Sequence, residues 1–207
     1  MNTDNYLKIL VESIHSATVA TIGADGHPQT CIIDMMLWDE RGVYFLTAKG
    51  KDFYRRLTQQ GYISLSAVKD KVSVSLRGRI ECIGTEKLDE IFEKNTYMQS
   101  IYPDGTRSAL EVFRLYEAEG EYFDISDPAH ILRDSFAIGG LKKPQDGYFV
   151  KNGCDGCAAC LKVCPQRCID TDKVPFTIDQ NRCIRCGLCA IACEKDAIEI
   201  KGKLYLR

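Results

Sequence analysis

The sequence predicts an α+β protein, in which a small antiparallel β-barrel is followed by a smaller cysteine-rich domain. Residues 17–125 alternate between short apolar strands and tight turns, and the connections between strands are too short for parallel crossovers. Residues 154–193 then contain nine of the 11 cysteines of the 207-residue chain, and eight of these nine form two runs of equal spacing. The turn-rich first part predicts the barrel, and the two cysteine runs predict a separate metal-binding unit.

Hydrophobic periodicity places the individual elements. Apolar side chains share one helical face over residues 4–15, with Thr3 or Asp4 as the N-cap, and also over residues 51–60 and 86–98. Strands are predicted over residues 17–22, 29–37, 43–47, 62–68, 72–83, 112–117 and 121–125. The last two are expected to form a hairpin around Ala118-Glu119-Gly120.

Each cysteine run has the spacing C-x2-C-x2-C-x3-C. In bacterial ferredoxins with two such runs, the fourth cysteine of each run ligates the cluster of the other run. The spacing therefore predicts two [4Fe–4S] clusters. One is held by Cys154, Cys157, Cys160 and Cys193, and the other by Cys183, Cys186, Cys189 and Cys164. A shift of 29 residues superimposes the runs and maps Cys168 onto Ala197, so the domain is an internal repeat in which position 168 is a small packing position.

Zinc and disulfides are the alternative uses of cysteine. Structural zinc sites usually show two C-x2-C pairs and four ligands, which two consecutive runs of four do not match. Disulfides need an oxidising compartment, and the polar N-terminal residues do not resemble a secretion signal. No run of 18 apolar residues occurs, and the net charge of −2 gives no reason to expect nucleic acid or a membrane surface as partner. We therefore expect a cytoplasmic protein.

Three segments in the first part of the chain resemble the pyridoxamine 5′-phosphate oxidase-like family, and their order is the strongest element of the resemblance. They are ATVATIGADGHPQ (17–29), DERGVYFLTAKGK (39–51) and VSVSLRG (72–78). Members of that family share an FMN-binding split β-barrel and are usually homodimers with flavin at the subunit interface. The C-terminal part resembles the two-cluster ferredoxins. The resemblance implies three parts: an FMN-binding split-barrel domain over residues 1–125, a packed connector over 126–146, and a two-cluster ferredoxin domain over 147–207.

The resemblance also implies a flavin site. In that family the backbone of one strand lies along the flavin ring, and a threonine and basic residues on the following elements hold the phosphate. The residues at these positions are Cys31, Ile32, Ile33, Asp34, Met35, Thr47, Lys49 and Lys51. Lys51 opens a predicted helix, whose free amides and dipole favour an anion. Cys31 and Met36 stand where the pyridoxamine phosphate oxidase subgroup has basic residues, which argues against pyridoxamine phosphate as the substrate.

The leading hypothesis is an iron–sulfur flavoprotein oxidoreductase that passes electrons between the clusters and FMN to reduce or oxidise a small molecule. An external electron-transfer protein such as a ferredoxin is the expected partner. The alternative is an electron carrier or redox sensor whose barrel serves for dimerisation or docking, and haem in the barrel is a third option. The sequence shows no catalytic constellation and no nicotinamide motif. His15 is interpreted as a surface or helix-end residue, and Cys31 and Cys82 as small buried residues.

Overall fold

The computed structural model describes residues 2–103 and 105–202 and divides them into two compact units. Unit 1 is formed by the residues up to 121 together with residues 136–142. Unit 2 is formed by residues 122–135 and the residues from 143 onwards. No helix in the described parts of the chain is long and apolar enough to cross a membrane.

An eight-stranded sheet forms the framework of unit 1. Its strands are β1 (Ser16–Ile22), β2 (Pro28–Asp34), β3 (Leu37–Asp39), β4 (Gly42–Ala48), β5 (Tyr62–Lys69), β6 (Val72–Gly84), β7 (Leu110–Asp124) and β8 (Leu132–Ile138). Seven of them follow the order β2-β1-β5-β6-β7-β4-β3, and β8 pairs with β7. The pairs β1–β2, β1–β5, β5–β6, β4–β7 and β3–β4 are antiparallel, as the short turns between strands predict.

The first predicted helix consists of two helix types in succession. Helix α1 (Thr3–Lys8) continues directly as a π-helix over Ile9–Ile14. Its N-cap is Asn2 and not the predicted Thr3 or Asp4, since the Asn2 side chain accepts a hydrogen bond of 3.0 Å from the Asn5 amide. The remaining helices of unit 1 are α2 (Asp52–Gln60), α3 (Leu88–Lys94) and α4 (Met98–Ile101). The single helix predicted over 86–98 is therefore wrong, and α3 and α4 occupy this region.

The core of unit 1 lies around β4, which is buried on both faces from Gly42 to Thr47. On one face Tyr44 and Leu46 share a buried cluster with Phe92 of α3. On the other face Phe45 stacks on Phe113 with ring centroids 5.7 Å apart. A strand with apolar side chains on both faces is a central element, and burying it fixes the position of the loop that follows it.

The hairpin predicted around Ala118-Glu119-Gly120 is wrong, because β7 runs without interruption through these residues. A Cβ atom at Gly120 would lie 2.4 Å from the ring of Phe136 on β8. Ala118 is completely buried in the same strand. The glycine therefore allows an aromatic ring to approach the backbone and does not mark a turn.

Unit 2 repeats one supersecondary pattern. Strand β9 (Gly147–Val150) pairs with β12 (Ile198–Lys201), and β10 (Ile169–Asp170) pairs with β11 (Thr177–Ile178), both antiparallel. Helices α5 (Ala159–Val163) and α6 (Leu188–Ile191) include the third cysteine positions of their runs. The 29-residue shift carries Ile169 onto Ile198, and both belong to one buried cluster with Tyr148 and Phe176. The repeat in the sequence is therefore also a repeat in the structure.

Residues 122–135 pack within unit 2. The Arg133 amide donates a hydrogen bond of 2.7 Å to the Asn181 carbonyl, and the Arg185 guanidinium lies 3.4 Å from the Ser135 hydroxyl. Strand β8 is not among the predicted strands, although its apolar residues 135–138 are expected to pack. The proposed limits of the barrel, connector and ferredoxin domains remain predictions.

Candidate functional site

The eight cysteines of the two runs surround two cavities in unit 2. The first cavity is lined by Cys154, Cys157, Cys160 and Cys193. The second is lined by Cys164, Cys183, Cys186 and Cys189. Each cavity thus takes three cysteines from one run and the fourth from the other. Ligation of iron by these residues remains a prediction, but the grouping is the one that the spacing predicts.

The two cysteine loops have matching backbones. Positions 156 and 185 have φ of 80° and 57°, and positions 158 and 187 have φ of 60° and 80°. Glycine occupies only one position of each pair, so Ala158 and Arg185 hold conformations that L residues rarely adopt. Cooperative contacts around the cavity must stabilise these turns, and a group bound to the cysteines would supply such contacts.

The donor set fits an iron–sulfur cluster. Four run cysteines line each cavity. Their thiolates are the ligands that iron–sulfur clusters use. Among the described residues, no group of three or more His, Cys, Asp and Glu side chains is arranged to hold a single metal ion. The cysteines instead line the walls of a space, as ligands to the corners of a cubane cluster would.

A ninth cysteine lies against the second set. Cys168 is buried, and its Sγ lies 3.6 Å from the Sγ of Cys164. It also lines the second cavity. A hydrogen bond with Cys168 lowers the pKa of Cys183, and the pKa of Cys168 is raised by the same bond and by burial. The repeat in the sequence predicts only a packing role for Cys168.

The residues proposed to line the flavin ring lie on β2 and directly after it. Strand β2 stands at one end of the strand order, so one of its edges is available to another group. Along it the exposed Ile32 is flanked by half-buried neighbours, Cys31 and Ile33, while Asp34 is half-buried and Met35 completely buried. Burial raises the pKa of the Cys31 thiol, although Arg56 and Lys51 lie near enough to oppose this effect.

Two of the three proposed phosphate residues fit an anion. The hydroxyl oxygen of Thr47 is buried and has no hydrogen-bond partner among the described residues. Lys51 is the exposed N-cap of α2, and its side chain makes no cap hydrogen bond, so the first amides of the helix remain available. A phosphate group bound here would satisfy the Thr47 hydroxyl and the helix N-terminus together.

Lys49 fits less well. Its Nζ lies 3.9 Å from the carboxylate of Glu111, which also accepts hydrogen bonds from Tyr54 (2.6 Å) and Cys82 (3.1 Å). The bonds from Tyr54 and Cys82 hold the pKa of Glu111 below its ordinary value. The negative charge of Glu111 therefore competes with a phosphate for Lys49. Cys82 is exposed, so its predicted burial is wrong, and its thiol donates a hydrogen bond to this carboxylate.

Sequence reasoning missed a hydrogen-bonded group around His15. The Nε2 of His15 lies 3.0 Å from the Tyr97 hydroxyl, which donates a bond of 2.8 Å to Asp34. Ser16 donates a bond of 2.6 Å to the other oxygen of Asp34. Burial opposes ionisation of Asp34, but the bonds from Ser16 and Tyr97 outweigh it, so its pKa is lowered. Tyr97 follows His15 by 82 residues, a separation that no local pattern reveals.

The backbone of His15 is strained. It has φ 72° and ψ −59°, the values of a rare γ-turn, and it directly follows the π-helix. Its ring borders a pocket that Glu12, Trp38 and Asn95 also line. Its Nε2 lies 3.0 Å from the Tyr97 hydroxyl, and its Nδ1 lies 3.2 Å from the Val11 carbonyl. Contacts on both ring nitrogens thus fix the orientation of the imidazole at the edge of this pocket.

Comparison with known proteins agrees with this division of the molecule. The family model described as pyridoxamine 5′-phosphate oxidase matches residues 4–122, and the model of a 4Fe-4S binding domain matches residues 176–199. A NimC/NimA family protein from Clostridium acetobutylicum has a similar fold, with a TM-score of 0.54 at 15% identity, over 65% of this chain and 92% of that one.

The matching curated relatives include subunits of oxidoreductases. An iron-sulfur subunit of CoB–CoM heterodisulfide reductase from Methanocaldococcus jannaschii is 41% identical over 30% of this chain and 12% of its own length. An NADH-quinone oxidoreductase subunit from Pelobacter propionicus is 40% identical over 45% of this chain and 51% of its own length. The chain therefore spans about half or less of the length of these two relatives.

The fold and the cysteine-lined cavities define an α+β iron–sulfur protein that joins an antiparallel barrel to a ferredoxin-type domain. The chain belongs to the pyridoxamine 5′-phosphate oxidase family, whose model covers more than half of its length. The predicted fold class and the predicted family are thereby confirmed.

Proposed function

We propose that this protein is an oxidoreductase that binds two [4Fe–4S] clusters and FMN and acts on a small molecule. The observation that carries the proposal is the presence of two equivalent four-cysteine cavities in a chain whose other part belongs to a flavoprotein family. When bound, the clusters would exchange single electrons and FMN one or two, which allows one-electron donors to support two-electron chemistry.

The chain's own residues would hold these groups and border a substrate pocket. The eight run cysteines would bind iron, while Thr47, Lys51 and the first turn of α2 would hold the FMN phosphate, with the strand from Cys31 to Met35 beside the ring. His15, held in place by its contacts with Tyr97 and Val11, would line the pocket that receives the substrate. We further propose a homodimer, and an external ferredoxin-type protein as the electron partner.

A second candidate is an electron carrier or redox sensor in which the barrel binds no flavin. The position of Glu111 favours it, because a carboxylate 3.9 Å from Lys49 disfavours a nearby phosphate. Under this hypothesis the barrel serves for dimerisation or docking, and Lys49 and Glu111 form an ordinary surface ion pair.

Anaerobic purification followed by quantification of iron, sulfide and extracted flavin separates the two candidates. The proposal expects about eight irons and about one FMN per chain, with flavin bleached when the clusters are reduced by dithionite. Eight irons without flavin, even after incubation with FMN, would favour the carrier. Fewer than four irons per chain would contradict both.

A further inference from the structure

The two cavities differ at several equivalent positions of the repeat, and at one of them the second cavity has an additional thiol. Cys168 lines the second cavity, and Ala197, its equivalent under the 29-residue shift, lines the first. The preceding residues, Arg167 and Asp196, have φ of 47° and 48°, so the two backbones turn in the same way. The difference is therefore confined to the side chain, which is a thiol in one half and a methyl group in the other.

Cys168 is placed to donate a hydrogen bond and not to serve as an additional ligand. Its Sγ lies 3.6 Å from that of Cys164, within the distance of a hydrogen bond between sulfur atoms. Cys164 belongs to the four cysteines assigned to the second cluster. A thiolate bound to iron has no proton, so Cys168 is the donor in this contact.

A hydrogen bond to a ligand sulfur changes the reduction potential. Reduction adds one electron to the cluster, and much of the added charge is carried by its sulfur atoms, so a donor stabilises the reduced form more than the oxidised one. In the first cavity Ala197 provides only its amide, which donates a bond of 3.3 Å to Cys193 Sγ. A methyl group cannot add a further bond.

We propose that Cys168 raises the reduction potential of the second cluster relative to the first by donating an S–H···S hydrogen bond to its ligand Cys164. This inference rests on the proposed binding of two clusters. On reduction the second cluster would take up one electron from an external one-electron donor, the Cys168 thiol would keep its proton, and no covalent bond would change. The hydrogen bond would favour the electron at the second cluster.

The test is a redox titration of the full-length, cluster-loaded protein, monitored by electron paramagnetic resonance. Iron is counted first, because a wild-type chain without two clusters refutes the proposed function itself before any potential is measured. Cys168→Ala reproduces the first cavity's residue, Cys168→Ser retains a donor, and Cys82→Ala controls for removing a cysteine outside the cluster domain.

We expect Cys168→Ala to keep the iron content and to lower the reduction equilibrium constant of one cluster at least threefold, a negative shift of about 28 mV at 59 mV per tenfold. Cys168→Ser and Cys82→Ala should keep potentials near those of the wild type. In a Cys186→Ala background, which removes a second-cluster ligand, Cys168→Ala should have no effect on the remaining cluster. An unchanged potential in Cys168→Ala overturns the proposal, and so does a loss of iron, which would make Cys168 a ligand.

Discussion

The crossed assignment of cysteines makes a prediction that pairs of substitutions can test. Cys193 follows Cys154 by 39 residues in sequence, yet it lines the same cavity as Cys157. Cys164 belongs to the first run but lines the second cavity. If the cavities hold clusters, substitutions within one cavity should remove one cluster, whichever run the residues come from.

The expected iron contents follow from the two sets of four cysteines. A wild-type chain should hold about eight irons, and Cys157→Ala or Cys193→Ala alone should leave about four. The Cys157→Ala/Cys193→Ala pair should also leave about four, because both residues serve one cluster. The Cys157→Ala/Cys164→Ala pair should leave almost none, because it affects both clusters.

The assay is colorimetric determination of iron and sulfide after anaerobic reconstitution, together with the absorbance of the cluster. Cys31→Ala serves as the matched control, since it removes a cysteine of unit 1 and should keep all of the iron. The reasoning is refuted if the pattern is reversed. In that case Cys157→Ala/Cys193→Ala would lose nearly all iron and Cys157→Ala/Cys164→Ala would retain half of it.

Further predictions concern the barrel and the coupling of metal to folding. Gly120→Ala should lower the free energy of unfolding by about 1–3 kcal/mol, because its Cβ would meet the Phe136 ring at 2.4 Å, and Phe136→Leu should restore part of the loss in urea titrations. The pKa of Asp34 is lowered in the folded state, so its carboxylate stabilises the fold above the unfolded pKa of about 3.9. This stabilisation is lost as the pH falls through the folded pKa. The difference in unfolding free energy between wild type and Asp34→Asn should therefore shrink in acid. Lys51→Gln should weaken FMN binding about tenfold and Lys49→Gln much less, measured by fluorescence quenching, since Lys49 is already paired with a carboxylate. Extraction of iron should remove hydrogen-exchange protection from β9 and β12 and leave β5 and β6 protected, because several of the proposed ligands belong to the buried cluster of unit 2. Equal effects of the two lysine variants, or uniform loss of protection, would contradict the last two expectations.

Local rules were sufficient for much of this protein. The spacing of the cysteines predicted two sets of four, since three thiolates two residues apart share one loop while the next must reach elsewhere. Alternating apolar residues predicted β1, β4, β5 and β6, because each of these strands buries at least one face. Features that depend on a few neighbouring residues, such as cysteine spacing and strand patterns, can therefore be predicted from the sequence alone.

Contacts between segments that are distant in sequence decided the environments of several other residues. From the sequence Gly120 resembles a turn residue, but in the structure it makes room for the ring of Phe136. From the sequence Cys82 resembles a core residue, but in the structure its thiol donates a hydrogen bond to Glu111. His15 joins a hydrogen-bonded group only because Tyr97 and Asp34, from separate elements, lie close to its ring. Such long-range contacts depend on the path of the whole chain. The energy of each contact depends on burial and on partners that are distant in sequence. The sequence by itself thus determined the cysteine sets and the family, whereas the tertiary structure decided which of the other polar residues act together.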